Sequence, residues 1–268
     1  MNESTQVYGS SGPPVLLLPG GHVSCRGFYP GYPEALVADP GARVILHDRP
    51  GTGISSVPGT LADASEDLHA LVDRLGLGPV VVVGQSLGGD VALHFARDFP
   101  DDVAGLVLLD PMPCGDAELA RTIEGMHART ARAVRLPPVR WLLRRRMRTV
   151  IERAVENTGL TGPYADAARA NADIDIRELS RALEGLAERA AGFDASDLRR
   201  AVPAAVVSAD HEPGRIGDRA RAVHARIAAA LGVPVTRWSG TSHGLHLERP
   251  EQTIDVIRAV VRKSASRA

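Results

Sequence analysis

The chain has 268 residues, 44% hydrophobic and 24% charged, which fits one globular domain or one domain carrying an insertion. Lys+Arg 31 against Asp+Glu 32 leaves a formal net charge of -1, so no overall field draws it to nucleic acid or to an anionic membrane, and neither is an expected partner. Its longest apolar runs fall far short of the roughly 20 residues of a membrane helix. Cys25 and Cys114 are too few for a disulfide framework, and the opening MNESTQVYGSSGPP has neither the basic nor the apolar region of a secretion signal, so a reduced, cytoplasmic protein is expected.

In chain order, β-type runs recur at Val15 to Leu18, Arg43 to His47, Val80 to Val83, Leu106 to Leu109, Ala204 to Val207 and Val233 to Trp238. Continuous apolar runs of this length, separated by helical patterns, belong to strands buried on both faces of a parallel sheet, so the fold class is α/β. Leu68, Leu71, Val72 and Leu75 form a helical stripe that stops at Gly76, and Ile254, Ile257 and Val261 form another after Pro250. Between Pro113 and Arg200 the alternation breaks into helical periodicity alone. The expected organisation is a core of residues 1–112 and 200–268 with a helical insertion over 113–199. Within it Leu143, Met147, Val150, Ile151 and Ala154 share a face, while Arg144, Arg145, Arg146 and Arg148 mostly turn away. That arginine run reads as a solvated basic face, the alternative being a patch for an anionic substrate or partner. No internal repeat is present.

The sharpest local signal is Gly84-Gln85-Ser86-Leu87-Gly88, where a buried strand runs into a turn and then a helical pattern. This is the context of a G-x-S-x-G nucleophile elbow, whose glycines leave room for a strained turn that presents the serine hydroxyl. Ser86 is the candidate nucleophile, and the Leu87 amide at the helix start can face an oxyanion. A base is offered by His243 in Ser239-Gly-Thr-Ser-His243, after the last strand, because a neutral imidazole there can accept the serine proton near pH 7. His246 reads as a packing or supporting histidine. Its pairing with Glu248 completes no metal set, so no metal is expected. Cys25 and Cys114 sit on no elbow and read as inert. The glycines of Asp48 to Ser55 lack a Gly-Lys-Ser/Thr ending and read as a turn, not a phosphate loop.

Four motifs in order, Leu16-Leu-Leu-Pro19-Gly20-Gly21-His22, Asp48-Arg-Pro-Gly51-Thr-Gly53, the elbow, and a late histidine, make the chain resemble an α/β-hydrolase over nearly its whole length. The resemblance implies a mostly parallel sheet, a helical cap over 113–199 and an oxyanion hole completed at Gly21. Pro19 stands where the family usually has a histidine, with His22 displaced along the loop. Only 14 residues precede Val15, so the family's first antiparallel strands are expected to be short. The family places its acid after either of two strands. Asp110, after Leu106 to Leu109, is favoured, with Asp210 and Glu212 of Val206-Val-Ser-Ala-Asp210-His-Glu212 as alternatives, because the later loop has lost the family's G-x-x-D spacing. Either carboxylate can hold the imidazole tautomer.

The expected activity is serine hydrolysis of a small carboxylic ester or lactone, with no cofactor and with the acyl substrate as the only required partner, by a monomer or homodimer. A serine at the elbow disfavours the epoxide hydrolase and dehalogenase branches. The other readings are a thioesterase or acyltransferase, a C–C bond hydrolase or a cofactor-free haloperoxidase-like protein of the same fold, and outside enzymes a small-ligand receptor that keeps the triad.

Overall fold

The computed structural model describes residues 4–159, 161–170, 174–198, 202–210 and 214–266. Its strands are β1 (Thr5–Tyr8), β2 (Pro14–Leu18), β3 (Arg43–His47), β4 (Val80–Gln85), β5 (Val103–Leu109), β6 (Ala204–Ala209) and β7 (Val235–Trp238). They form one seven-stranded sheet in the order β1-β3-β2-β4-β5-β6-β7. β1 runs antiparallel to β3, and every other neighbouring pair is parallel.

Alternate residues of each strand enter opposite halves of the core. Leu16, Val82, Leu106 and Val206 pack on one side, and Val15, Val81, Val107 and Val207 on the other. Both halves are dry because helices cover both faces, which is why these strands read as unbroken apolar runs. One face is covered by α1 (Cys25–Phe28) and α2 (Tyr32–Ala38), and the other by α3 (Ala64–Leu75) and α4 (Leu87–Asp98). The α3 stripe ends as expected, at Gly76 with φ 55.

β1 leaves no apolar run in the sequence, and only the resemblance implied a short antiparallel strand before Val15. Its Thr-Gln-Val-Tyr pattern carries one aliphatic residue, yet Thr5↔His47 through Tyr8↔Val44 pair in register, and Val7 packs on the core. An edge strand needs only one buried face, so it leaves a weak trace in hydropathy. At the other edge β7 begins at Val235, two residues later than expected.

Between β5 and β6 lie α5 (Ala117–Ala133), α6 (Pro137–Thr158), α7 (Gly162–Ala170), α8 (Ile176–Ala182) and α9 (Leu186–Ala191). Leu183, Leu186, Ala190 and Phe193 join the core half that contains α4, so the end of this segment is anchored on the sheet layer. The inward stripe of α6 is Leu143, Met147, Ile151 and Val155, spaced four apart, and the last three reach a cavity. Val150, expected on that face, points out and is 53% exposed, and the Ala154 side chain lies outside the described residues. After β6 come α10 (Arg215–Leu231), then, past β7, α11 (Leu245–Glu248) and α12 (Pro250–Ala265), whose Ile254, Ile257 and Val261 close the face shared with α1 and α2.

Candidate active site

Ser86 occupies the junction of β4 and α4 with φ 52 and ψ -117, a left-handed backbone unusual for a residue with a Cβ. The turn closes only because its neighbours are small: a Cβ on Gly84 would strike the Gly88 carbonyl, and one on Gly88 would strike the carbonyls of Leu18 and Pro19. The second non-glycine residue with positive φ among those described is Asp110, at the end of β5, with φ 47. Main-chain bonds stitch the two sites together. Ser86 N donates to Leu109 O at 3.1 Å, Met112 N donates to Ser86 O at 3.0 Å, and Asp110 N donates to Val207 O at 2.8 Å.

His243 comes from the loop between β7 and α11 and bridges the pair. Its Nδ1 lies 2.6 Å from Asp110 Oδ2 and its Nε2 lies 2.8 Å from Ser86 Oγ. An ionised Asp110 makes Nδ1 the donor and leaves the Nε2 lone pair to accept the serine hydroxyl. Asp110 Oδ1 accepts the Ala209 amide at 3.0 Å. Burial works against ionising this carboxyl, but the His243 hydrogen bond and charge, with the Ala209 amide, outweigh it and hold the group below the usual carboxylate range. The structure thus brings Ser86, His243 and Asp110 together. Asp210 is 45% exposed with Arg221 at 3.9 Å, and Glu212 lies outside the described residues.

Three supporting residues escaped the sequence reading. Gln85 Nε2 donates to the His243 carbonyl at 2.8 Å, tying the elbow to the histidine loop. Glu248, considered above only as a metal ligand, instead accepts the Ser242 amide at 2.9 Å and the Ser242 hydroxyl, which fixes the residue before His243. His224 is buried behind Asp110, with Nε2 2.9 Å from Pro111 O and Nδ1 2.8 Å from Ser208 Oγ, and burial pushes its pKa down, so it is a neutral prop for the turn after Asp110. The only sequence signal for Gln85 is a polar residue two positions past a run of four valines; Glu248 and Ser242 lie six residues apart around the His243 loop, and His224 reaches Pro111 from a distant part of the chain.

Ser86, His243, Gly21, Phe28, Met147 and Ile151 line one cavity of about 380 Å³, whose walls include apolar side chains of α6 and α8. Gly21 and Ser86 share its floor, and Leu87, fully buried, begins α4 beside it. His246 also reaches this wall. It stacks on Phe28 with centroids 4.3 Å apart, and burial drives its pKa down to about 3, so the ring is neutral. Cys25 Sγ is buried against Leu17 O at 3.2 Å, and burial raises its pKa far from the reactive range. The Asp48 carboxylate turns inward onto the amides of Cys25 at 2.6 Å and Ile54 at 2.9 Å, so this glycine segment is a braced turn.

One set of potential metal donors converges among the described residues: Asp90, His94 and Cys114, all buried, with donor atoms within 4.8 Å of one another. Cys114 Sγ and Arg189 Nε each already donate to Asp90, both at 3.0 Å, so a guanidinium holds the charge that a cation would need.

The alpha/beta hydrolase fold family model matches residues 13–155. The lipase LipV of Mycobacterium tuberculosis is 48% identical over 68 residues, covering 25% of this chain and 26% of that one. The 2-hydroxy-6-oxo-6-phenylhexa-2,4-dienoate hydrolase of Comamonas testosteroni is 33% identical over 116 residues, covering 41% and 40%. The matches therefore span between a quarter and two fifths of these curated relatives. Among solved structures, a thermophilic esterase from Thermogutta terrifontis superposes with a TM-score of 0.73 at 26% identity over 97% of this chain and 93% of that one. MenH from S. aureus superposes with a TM-score of 0.75 at 14% identity, over 98% and 100%, a likeness of fold alone. From the elbow, the sheet order and the family match together, the chain belongs to the alpha/beta hydrolase fold family.

Proposed function

We propose that the protein is a serine hydrolase that cleaves a small carboxylic ester or lactone through an acyl-enzyme. The observation that carries this reading is the line Asp110–His243–Ser86, with links of 2.6 and 2.8 Å, opening on an apolar cavity. Ser86 Oγ attacks the carbonyl carbon as His243 Nε2 takes its proton, and Asp110 holds the tautomer and stabilises the imidazolium. The amides of Gly21 and Leu87 receive the oxyanion, a contribution of about 3 to 4 kcal/mol per donor in enzymes of this kind. His243 then protonates the leaving alkoxide, and a water activated by the same imidazole releases the acid.

Residues 113–199 act as the cap in this reading, over a core of 1–112 and 200–268. Met147, Ile151, Val155 and Leu179 along the roof suit an uncharged aliphatic or aryl acyl group. The esterase of Thermogutta terrifontis, alike over nearly the whole chain, supports ester chemistry. A second reading, C–C bond hydrolysis by the same serine, draws on the name of the Comamonas testosteroni relative.

The test is fluorophosphonate labelling with intact-mass and peptide readout, beside turnover of aryl esters, lactones and a C–C substrate. The expected result is one adduct on Ser86, lost in Ser86→Ala together with ester turnover. An unlabelled, inactive wild type, or a Ser86→Ala variant that keeps more than a few per cent of turnover, would overturn the assignment; turnover of the C–C substrate alone would move it to the second reading.

A further inference from the structure

The net charge of -1 conceals a polarised molecule. Residues 129–148 contain eight arginines, at 129, 132, 135, 140, 144, 145, 146 and 148, and no acidic residue, so the remaining chain is nine units negative. Arg132 and Arg135 share a surface hollow with Arg177, Glu178, Arg181 and Glu184, so both signs of charge meet there. The first half of α6 is different: Arg140, Arg144, Arg145 and Thr149 surround Trp141 in a shallow depression with no acidic side chain in its wall. The Arg145 guanidinium lies 5.3 Å from the Trp141 ring centroid.

Large apolar side chains are exposed in and beside the same stretch of chain. Leu136 is 61% exposed, and Trp141 and Leu142 are 60% exposed. These do not belong to the cavity-facing stripe of α6: at about 100° per residue, Trp141 and Leu142 lie on the side away from Leu143, Met147 and Ile151. The helix therefore exposes two adjacent large apolar side chains among its arginines, with Leu136 exposed just before its first turn.

We infer that the outer face of the first half of α6, with Leu136, is a docking surface for an anionic lipid bilayer. Guanidinium groups answer the negative headgroup layer, while Trp141, Leu142 and Leu136 enter the boundary between headgroups and acyl chains, the usual division of labour on an interfacial amphipathic helix. A nucleic acid would use the arginines and leave the two leucines in water. A second copy presenting this same patch would set like charges against each other. The inner face of the helix contributes Met147, Ile151 and Val155 to the cavity, so a docked α6 lies between the bilayer and the candidate active site.

The test uses the full chain with vesicles of phosphatidylcholine alone and of phosphatidylcholine mixed with phosphatidylglycerol, read by co-sedimentation and tryptophan emission. The chain has two tryptophans, and Trp238 is only 9% exposed, so a blue shift reports Trp141 and disappears in Trp141→Phe. Binding is expected to the mixed vesicles, not to phosphatidylcholine alone, and to be suppressed by high salt. At about a fivefold loss per charge removed, the triple change Arg140→Gln, Arg144→Gln, Arg145→Gln weakens partition on the order of a hundredfold. Leu142→Ser weakens it too, and the melting temperature of each variant reports that the fold is kept. Three results would overturn the inference: no binding to mixed vesicles at low salt; DNA binding as tight as vesicle binding, with Leu142→Ser without effect on either; or a self-association in sedimentation velocity that Leu142→Ser removes, with vesicles left unbound.

Discussion

Asp110→Asn isolates the role of the carboxylate without disturbing its frame. The residue sits at φ 47, where asparagine is tolerated as well as aspartate, and the two side chains have the same shape. In the parent, Oδ1 accepts the Ala209 amide and Oδ2 accepts from His243 Nδ1. An asparagine can keep the first bond only by leaving its carbonyl on Ala209, which turns its NH₂ toward His243. Nδ1 must then accept, the ring proton moves to Nε2, and the atom facing Ser86 at 2.8 Å can no longer take the serine proton. The imidazolium formed on attack also loses its counter-charge. The expected loss in kcat is about 10⁴-fold, roughly 5 kcal/mol, with little change in KM because the cavity wall is unaltered. Steady-state turnover of an aryl ester measures it, and the rate of fluorophosphonate labelling falls in step. A loss smaller than tenfold, or a larger loss in Asp210→Asn or Glu212→Gln, refutes the assignment of the acid. Stability follows the same carboxylate: its folded pKa lies below the ordinary value, so its contribution is present above about pH 4 and is lost as pH falls through the folded pKa.

Gln85→Met removes the bond from Nε2 to the His243 carbonyl while keeping most of the volume, and at about 1 kcal/mol for such a bond kcat should fall five- to tenfold with KM held; a shift confined to KM would mean that Gln85 contacts substrate instead of holding the loop. Global stability should depend on pH through buried histidines, His224 among them and chiefly His47 and His246, whose pKa values burial pushes down to about 4 and about 3. As pH falls from about 6.5 the unfolded chain binds their protons first, so stability drops by up to about 1.4 kcal/mol per pH unit for each, until the folded values are reached. Urea midpoints at pH 7 and 5 should therefore differ, and His246→Phe, which keeps the ring against Phe28, should shrink the difference, with His47 and His224 supplying the rest. An equal difference in both proteins counts against the buried neutral imidazole.

The strands from β2 to β6 were readable from the chain because each is buried on both faces, and burial on both faces writes an unbroken apolar run. The edge strand β1 writes almost nothing, since Val7 is its one aliphatic residue and Thr5, though buried, is polar and bonds to His47 of β3. On α6, Leu143, Met147 and Ile151 were placed correctly, but Val150 and Val155 are equally apolar, and only the neighbouring helices decide that Val155 is inside and Val150 outside. The elbow and the late histidine are local patterns, so sequence could single out Ser86 and His243. The choice between Asp110 and the carboxylates of the later loop is not local: β5 and β6 are adjacent, both end on the same rim of the sheet, and either end could reach the imidazole until the path of the His243 loop is known. Gln85, Glu248 and His224 act by bonds to loop backbone or to a partner far along the chain, for which a single sequence holds no signature.

The stitching of Ser86 to β5 has a consequence for the order in which the site fails on warming. The serine and Asp110 are joined by main-chain bonds within the central parallel ladder, the part of an α/β sheet that opens last. The His243 loop is tethered to that ladder by the Gln85 amide and braced from α11 by the Glu248 carboxylate through Ser242, and the His243 side chain is 47% exposed. The histidine loop can therefore detach while the two sheet-borne groups keep their spacing. On the proposed reading, warming is expected to take the base first and leave an intact sheet around an idle serine, and activity is expected to return on cooling by re-seating one short loop, with no refolding of the domain.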